Sequence, residues 1–489
     1  MPWREAGEDP AVDGRCFMSR ADEIMERAFQ AASAFRAFSQ EETDSVVRAV
    51  YLAALAERVR LAKLAHEETG IGVWQHKVIK NIIAAQLVYE DIKNQKTVGV
   101  ISEDPHSGVA EVAQPLGPIL GFIPVTNPTS TTIFKSLISI KTRNALIICP
   151  HHGARKSVAA AAEICYRAAF RAGAPPDCIQ WLDKPVPETV NELMSNPRLA
   201  LILATGTDTL VRKAHTSGTP VIGVGPGNVP VYIGATADIP FAVRSIIESK
   251  TFDNGSVCAS EQAVVVKRDA AGPVIKEFER QHAYFLTSDQ IEKVNRIAFD
   301  KEQGTMTVAV VGQSVQKIAQ MAGIKIPSKT ILLIAPLGGV GKDYPLSAEI
   351  LAPILAFYIE DEFDDAIQRC SEIIRYGGTG HTAVIYSNSD ERIEYFSRVI
   401  NAGRILVNMP STQGALGGIY NTLSPSFTLA CGTGGHNITT DNITARHLLN
   451  IHRITRRRPN PRWMSVRTSI FLDEEIPAEM MESEFNRNF

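Results

Sequence analysis

The sequence predicts an α/β protein of two wound lobes, each a parallel sheet with helices on both faces, and three observations predict it. From Pro118 onward, β-rich runs such as ILGFIPV, ALIICP, LALILAT, PVIGVG and VPVYIG alternate with helical segments such as SVAAAAEICYRAAFRAG and DTLVRKAH. A second alternating series begins at Ala263. The 489 residues, at about 150 per domain, allow two to four domains and a large buried core.

Taken in order, residues 1–18 read as a flexible tail, and Ser19 to Glu68 carries apolar residues at helical spacing, among them Ile24, Phe35, Val46, Val50, Leu55 and Leu61. A second helical pattern runs from Val73 to about Asn94. The alternating stretch after it predicts a 98–114 hairpin that reaches away from the core. The first lobe spans 19–240, with its joint to the second near Asp238 to Ile247; ligands favour such junctions. The second lobe, 241–431, follows EQAVVV, a charged helix around Val274 to Gln281, TVAVVG, KTILLIA, an acidic helix from Asp361 to Tyr376, TAVIYS, a helix from Ile393, and GRILVN. Residues 432–489 return to the first lobe and end in an arm. There ITRRRPNPRWMSV is basic and VRTSIFLD alternates like an edge strand.

Composition excludes several functions. With 50 Lys plus Arg against 53 Asp plus Glu, nothing calls for a nucleic-acid partner, and the basic arm reads as a solvated or intersubunit segment. No apolar run is long enough to span a membrane, and the polar start lacks a secretory signal, which predicts a cytoplasmic protein. The seven cysteines are odd in number, widely spaced and free of C-x-x-C pairs, so neither a disulfide framework nor a metal site is expected. PLGGVGKDY lacks the residues of a phosphate loop, and His447 with His452 are wrongly spaced for a helical metal pair.

Cys258 stands apart from the other six. In TFDNGSVCASEQAVVV it follows Asn254, Gly255 and Ser256, a turn with no apolar face, and precedes the run from Ala263, so its thiol is expected at a strand entrance.

SKTFDNGSVCASEQ resembles the cysteine motif of the CoA-acylating aldehyde dehydrogenases, including the aldehyde dehydrogenase half of bifunctional aldehyde/alcohol dehydrogenases. The likeness extends in order through ETGIGVWQHKVIKN, PLGPILGFIPVTNPTSTTIFKSLISIKTRNALIICPHHGARKS, ATGTDTLVRKAHTSGTPVIGVGPGNVPVYI, GGTGHTAVIYS and GRILVNMPSTQGALGGIYN, about residues 20 to 475. It implies the aldehyde dehydrogenase-like fold: a Rossmann-like cofactor domain, an α/β catalytic domain with Cys258, and a small β oligomerisation flap made by the 98–114 hairpin and the C-terminal strand. Homodimers or homotetramers follow from the same resemblance.

It further implies that Cys258 attacks an aldehyde to give a thiohemiacetal, with Asn127 of PVTNP and the Cys258 amide as oxyanion donors; from local sequence alone Asn127 is equally a turn residue before Pro128. Hydride loss to NAD or NADP leaves a thioester. Hydrolytic relatives carry a water-activating glutamate where this chain has Gly223, and positioned acid–base groups contribute about 10²–10⁴-fold, so coenzyme A is the expected acyl acceptor. Gly206 in ATGTDTL and Glu349 in AEILAP match the cofactor positions. His151 and Arg155 stand near the place where relatives carry a lysine, and they leave NAD against NADP open. His381 matches a histidine of acylating relatives and is expected to orient CoA or tune the thiol, a packed structural histidine being the alternative. The implied substrate is a short anionic aldehyde, sulfoacetaldehyde ahead of acetaldehyde and succinate semialdehyde, with Arg404 as an available counterion.

Overall fold

The computed structural model describes residues 18–300 and 304–487, so the expected tail, Met18 apart, lies outside the described residues, as does Cys16. Two compact units are present. The larger joins the chain up to Gln95 with Pro115–Leu448; the smaller joins Lys96–Gln114 to the C-terminal segment from Leu449.

The larger unit opens on helices whose starts are written in the sequence. Ser19 caps Arg20–Phe35, and its apolar residues Ile24, Met25, Ala28, Ala31 and Phe35 share one buried stripe. Ser39 and Glu42 form a capping box on Gln40–Ala56. Arg58–Thr69 follows, stopped by Gly70 in the left-handed conformation. The next helix, Trp74–Ile82, runs through a π-helical segment, Ile83–Leu87, into Val88–Ile92; such bulges frequently accompany functional sites.

Two parallel sheets come next. The first has five strands in the spatial order Ile179–Trp181, Leu146–Pro150, Ile119–Ile123, Leu201–Thr205, Val221–Val224. One face packs Ile119, Leu146, Ile148 and Leu203 against the helices Pro128–Lys141 and Arg155–Arg171, and the other packs Leu120, Phe122, Ile147 and Ile202 against Arg20–Phe35. Burial on both faces explains why these strands read as unbroken apolar runs. The second sheet has seven strands in the order Ala283–Phe285, Leu332–Pro336, Ile354–Glu360, Glu261–Lys267, Val229–Ile233, Gly380–Tyr386, Ala402–Val407.

Three sequence expectations need correction. VPVYIG was grouped with the first lobe, but Val229–Ile233 pairs with Glu261–Lys267 and Gly380–Tyr386, so the chain crosses between sheets over residues 225–228 rather than at 238–247. A buried apolar strand carries no mark of which sheet it joins, and the helix Ile239–Thr251 after it looked like a lobe boundary. TVAVVG is not a strand. Val308–Val310 is one turn of 3-10 helix with Val308 82% exposed, and the following Gly312 bonds Gly72 and Leu351 instead of a sheet edge. VRTSIFLD is not an edge strand either: Thr468–Phe471 is helical, and Phe471 stacks on Trp463 at 4.8 Å.

In the smaller unit the strand comes earlier, at Leu449–Thr455, beside the hairpin Gly99–Asp104 and Val109–Pro115. Arg453 pairs with Glu111 at 3.2 Å, and Arg458 donates to the carbonyls of Pro105 and His106, so part of the basic arm is tied to the hairpin. Among the described residues no helix is long and apolar enough to cross a membrane.

Candidate active site

The turn before Cys258 is held in a costly conformation. Asp253, Asn254 and Gly255 are left-handed in succession, at φ 50°, 53° and 71°, and each non-glycine residue there costs roughly 1–2 kcal/mol. Gly255 admits no side chain, because a Cβ would lie 2.8 Å from the Ala352 carbonyl. The turn is held from outside. The Val73 amide donates to Asp253 Oδ1 at 2.7 Å; Lys77 Nζ at 3.0 Å, Ser256 Oγ at 2.8 Å and Lys80 Nζ all donate to Oδ2. The Asp253 amide donates to His76 Nδ1 at 2.8 Å, and Asn254 Nδ2 to the Gly312 carbonyl at 2.9 Å. Burial alone would raise the Asp253 carboxyl. The charges of Lys80 and Lys77 outweigh that and hold it at about 2.

Cys258 is the only one of the six described cysteines that is not fully buried. Its thiol is nonetheless pushed up to about 12, first by desolvation and then by Glu349 and Cys431, with Arg404 opposing. Glu349 itself is pushed up to about 7 by burial. Gly227 links the two: its amide donates to Glu349 Oε1 at 2.8 Å, and its α-carbon lies against the Cys258 carbonyl and the His381 ring.

Asn127 begins the helix Pro128–Lys141, yet its side chain caps nothing. Oδ1 accepts from Lys80 Nζ at 2.7 Å and Nδ2 donates to Thr126 Oγ1 at 3.1 Å. Lys80 Nζ also donates to Ser256 Oγ at 3.2 Å, so one ammonium joins Asn127 to the cysteine turn.

His381 is wholly buried. Nδ1 meets Thr382 Oγ1 at 2.9 Å, and Nε2 has no hydrogen-bond partner among the described residues. Burial, then the Arg404 charge, lowers its pKa to about 3, so the ring is neutral at physiological pH.

Arg404 is not an available counterion. Its Nε donates to Thr382 Oγ1, Nη1 to the Thr440 carbonyl and Asn442 Oδ1, and Nη2 to the His381 and Ala430 carbonyls, which uses all five guanidinium N–H groups. The sequence-based assignment failed because an arginine in a strand says nothing of how many carbonyls converge on it.

The remaining predicted residues lie on the five-stranded sheet and share no hydrogen bond with this cluster. Gly206 follows the strand Leu201–Thr205 and opens the helix Asp208–His215, which Thr207 caps. A Cβ there would sit 2.9 Å from Leu210 Cδ2. His151 follows the strand Leu146–Pro150 and accepts from the Gly153 amide at 3.1 Å. Arg155 is exposed at the start of its helix, where the Glu68 carboxylate takes the amides of Lys156 and Ser157, each at 2.7 Å.

Gly223 has no room for a carboxylate. A Cβ would lie 2.6 Å from Val211 Cγ1 and 3.2 Å from His215 Nε2, and the Asn437 side chain clamps both the Gly223 amide and its carbonyl.

Lys77, Lys80, Asp253 and Gly227 were not singled out from the sequence. The signal in ETGIGVWQHKVIKN was weak: Lys77 and Lys80, three residues apart, share one helix face with Asn81, and it is this polar face that is buried, although buried lysines are rare. Lys250 and Glu261 were missed likewise. Lys250 donates to Gln262 Oε1 and the Ile350 carbonyl, both at 2.9 Å, and burial lowers it to about 7.

The sequence profile of the aldehyde dehydrogenase family matches residues 15–421. The chain is 43% identical over 452 residues to the bifunctional aldehyde-alcohol dehydrogenase of Escherichia coli, covering 92% of this chain and 50% of that protein; it thus spans about half the length of such curated relatives. It is 35% identical to the succinate-semialdehyde dehydrogenase (acetylating) of Clostridium kluyveri, covering 88% of this chain and 94% of that one. The crystal structure of an acetylating aldehyde dehydrogenase from Geobacillus thermoglucosidasius superposes with a TM-score of 0.87 at 45% identity, covering 90% of this chain and 97% of that chain.

Proposed function

The chain belongs to the aldehyde dehydrogenase family, and from that premise we propose that it catalyses the reversible, CoA-acylating oxidation of a short aldehyde to an acyl-CoA. The observation that carries the acylating reading is Gly223: neither its packing nor its clamped backbone leaves room for a base that would deliver water to a thioester.

Cys258 is the nucleophile. Its thiolate adds to the aldehyde carbon, and the oxyanion formed is met by Asn127 Nδ2 and the Cys258 amide. When bound, a nicotinamide dinucleotide supplies the hydride acceptor that converts the thiohemiacetal to a thioester. The residues fit such a group. Gly206 leaves a cradle that a Cβ would fill at a strand-to-helix turn, and the Glu349 carboxylate is fixed by Gly227 close enough to act on the Cys258 thiol. NAD fits better than NADP beside His151 and Arg155, because the Glu68 carboxylate already occupies the helix amides there and would repel a 2′-phosphate. The thiol of CoA then takes the acyl group from Cys258. Neutral His381, with Nε2 unpartnered, serves as hydrogen-bond partner to that thiol.

Acetaldehyde replaces sulfoacetaldehyde as the preferred substrate, since the saturated Arg404 removes the one cation assigned to a sulfonate and the chain is 45% identical to an acetylating enzyme of solved structure. Assembly into dimers or tetramers is proposed through the smaller unit, whose strand Leu449–Thr455 is exposed at the sheet edge.

The test is NADH formation from acetaldehyde with and without CoA. CoA-dependent turnover that is lost in Cys258→Ala supports the reading; equal rates without CoA, with acetate as product, overturn it.

A further inference from the structure

Asn127 can serve as an oxyanion donor only if its NH₂ group, not its carbonyl, faces the reacting atoms. An amide flips easily, so something has to decide. The Lys80 ammonium decides it, because an NH₃⁺ group has donors only and the atom it touches at 2.7 Å must be the amide oxygen. Nδ2 is thereby turned away from Lys80. One of its hydrogens goes to Thr126 Oγ1, and the other has no acceptor among the described residues.

The ammonium itself is fully engaged by three acceptors, Asn127 Oδ1, Asp253 Oδ2 and Ser256 Oγ, on two separate stretches of chain. Its side chain is 1% exposed, that of Lys77 3% and that of Asp253 0%. Two cations therefore share one carboxylate in a dry site, which leaves a net positive charge under Asn127 and the cysteine turn. His76 does not add to it, since its Nδ1 accepts a hydrogen bond and burial favours the neutral ring. Buried charge of this kind is costly unless a counter-charge forms nearby.

We propose that Lys80 is the positioning residue of the oxyanion hole: it fixes the Asn127 amide with Nδ2 toward the substrate, and its buried charge, bonded to Oδ1, polarises that amide so that Nδ2 is a stronger donor to the oxyanion on the Cys258 adduct. The proposal rests on the cysteine mechanism above, but its test needs neither the dinucleotide nor CoA. Lys77 supports the role indirectly. It neutralises Asp253, which leaves the Lys80 charge available to the site, and it anchors the Thr126 carbonyl at 3.2 Å.

Removing Lys80 should be tolerated by the fold, because the remaining Lys77–Asp253 pair is neutral and Asp253 keeps the Val73 amide and Ser256 as donors. The experiment is single-turnover acylation by p-nitrophenyl acetate, an activated ester whose attack by Cys258 forms a tetrahedral oxyanion and releases p-nitrophenolate. Four chains are compared: wild type, Lys80→Met, Asn127→Ala and the double variant. Losing an oxyanion donor typically costs about 10²–10³-fold. Lys80→Met is expected to slow acylation by a similar factor while ester binding changes little, and the double variant to be no slower than Asn127→Ala alone, because both act through one donor. Multiplying losses, or a Lys80→Met rate within about threefold of wild type, would overturn the proposal. If Lys80→Met does not fold by circular dichroism, Lys80→Gln keeps a donor toward Asn127 Oδ1 without the charge and is read in the same cycle: a loss absent in the Asn127→Ala background supports the role, and an equal loss in both backgrounds refutes it. A wild type that acylates at Cys258 but shows no CoA-dependent NADH formation overturns the functional reading alone. A wild type that does not acylate overturns both.

Discussion

The α-carbon of Gly227 lies so close to the carbonyl of Cys258 that a Cβ there would sit 2.3 Å from that oxygen and 3.1 Å from the His381 ring. The backbone at 227 is therefore a wedge between the Cys258 peptide and the histidine, while its amide holds Glu349. Gly227→Ala should displace the Cys258 peptide, with a stability loss of about 1–3 kcal/mol typical of overpacking and a far larger fall in acylation rate. Thermal melts with single-turnover acylation check it; a variant that keeps the wild-type rate would show that this contact does not set the nucleophile.

Restoring the missing carboxylate should not create a hydrolytic enzyme. In Gly223→Glu the first side-chain atom already meets Val211 Cγ1, and the Asn437 clamp prevents the strand from yielding. The expected outcome is a lower melting temperature and no acetate release in the absence of CoA. Acetate formation at a rate near the CoA-dependent one would show that a single residue separates the two chemistries.

Much of this site was legible in sequence, for identifiable physical reasons. Both sheets were read from apolar runs, since strands buried on two faces are mostly apolar along their length, as Leu146–Pro150 and Leu332–Pro336 are. Cys258 stood out because the turn before it is polar and glycine-bearing. What escaped was long-range convergence. Asp253 reads as a turn residue until Val73, Lys77 and Lys80 arrive from a helix over 170 positions earlier. Arg404 looked like a free charge until five acceptors met it, and TVAVVG looked like a strand because composition does not reveal the lack of a neighbouring edge.

Arg404 supplies the next prediction. Lysine carries the same charge but only three donors, so Arg404→Lys strands at least two acceptors, among them the carbonyl of His381 or Ala430. Each unsatisfied buried acceptor costs about 1–3 kcal/mol. A melting temperature lowered by several degrees is expected, with the preference between acetaldehyde and sulfoacetaldehyde unchanged. A selective loss of sulfoacetaldehyde turnover would return Arg404 to the role of counterion.

Glu349 gives the sharpest pH dependence. Its negative charge is the largest charge effect raising the Cys258 thiol, and its own carboxyl titrates at about 7. Below pH 7 the carboxyl is protonated and exerts little charge on the sulfur; above pH 7 it ionises and disfavours the thiolate. Glu349→Gln removes that charge at every pH, so the variant holds more thiolate, but only where the wild type is ionised. Alkylation by iodoacetamide in the absence of dinucleotide should proceed at similar rates in the two proteins at pH 6, and faster in Glu349→Gln by about 3- to 10-fold at pH 8.5, since each unit of pKa is a factor of ten in thiolate. Lys250, lowered to about 7 by burial, interacts with the Glu349 charge and loses that part of its support in the variant, but the charge that acts on the Cys258 sulfur is that of Glu349, so the direction of the ratio stands. A ratio that stays flat from pH 6 to 8.5, or one below unity at pH 8.5, would mean that Glu349 does not act on the sulfur through its charge.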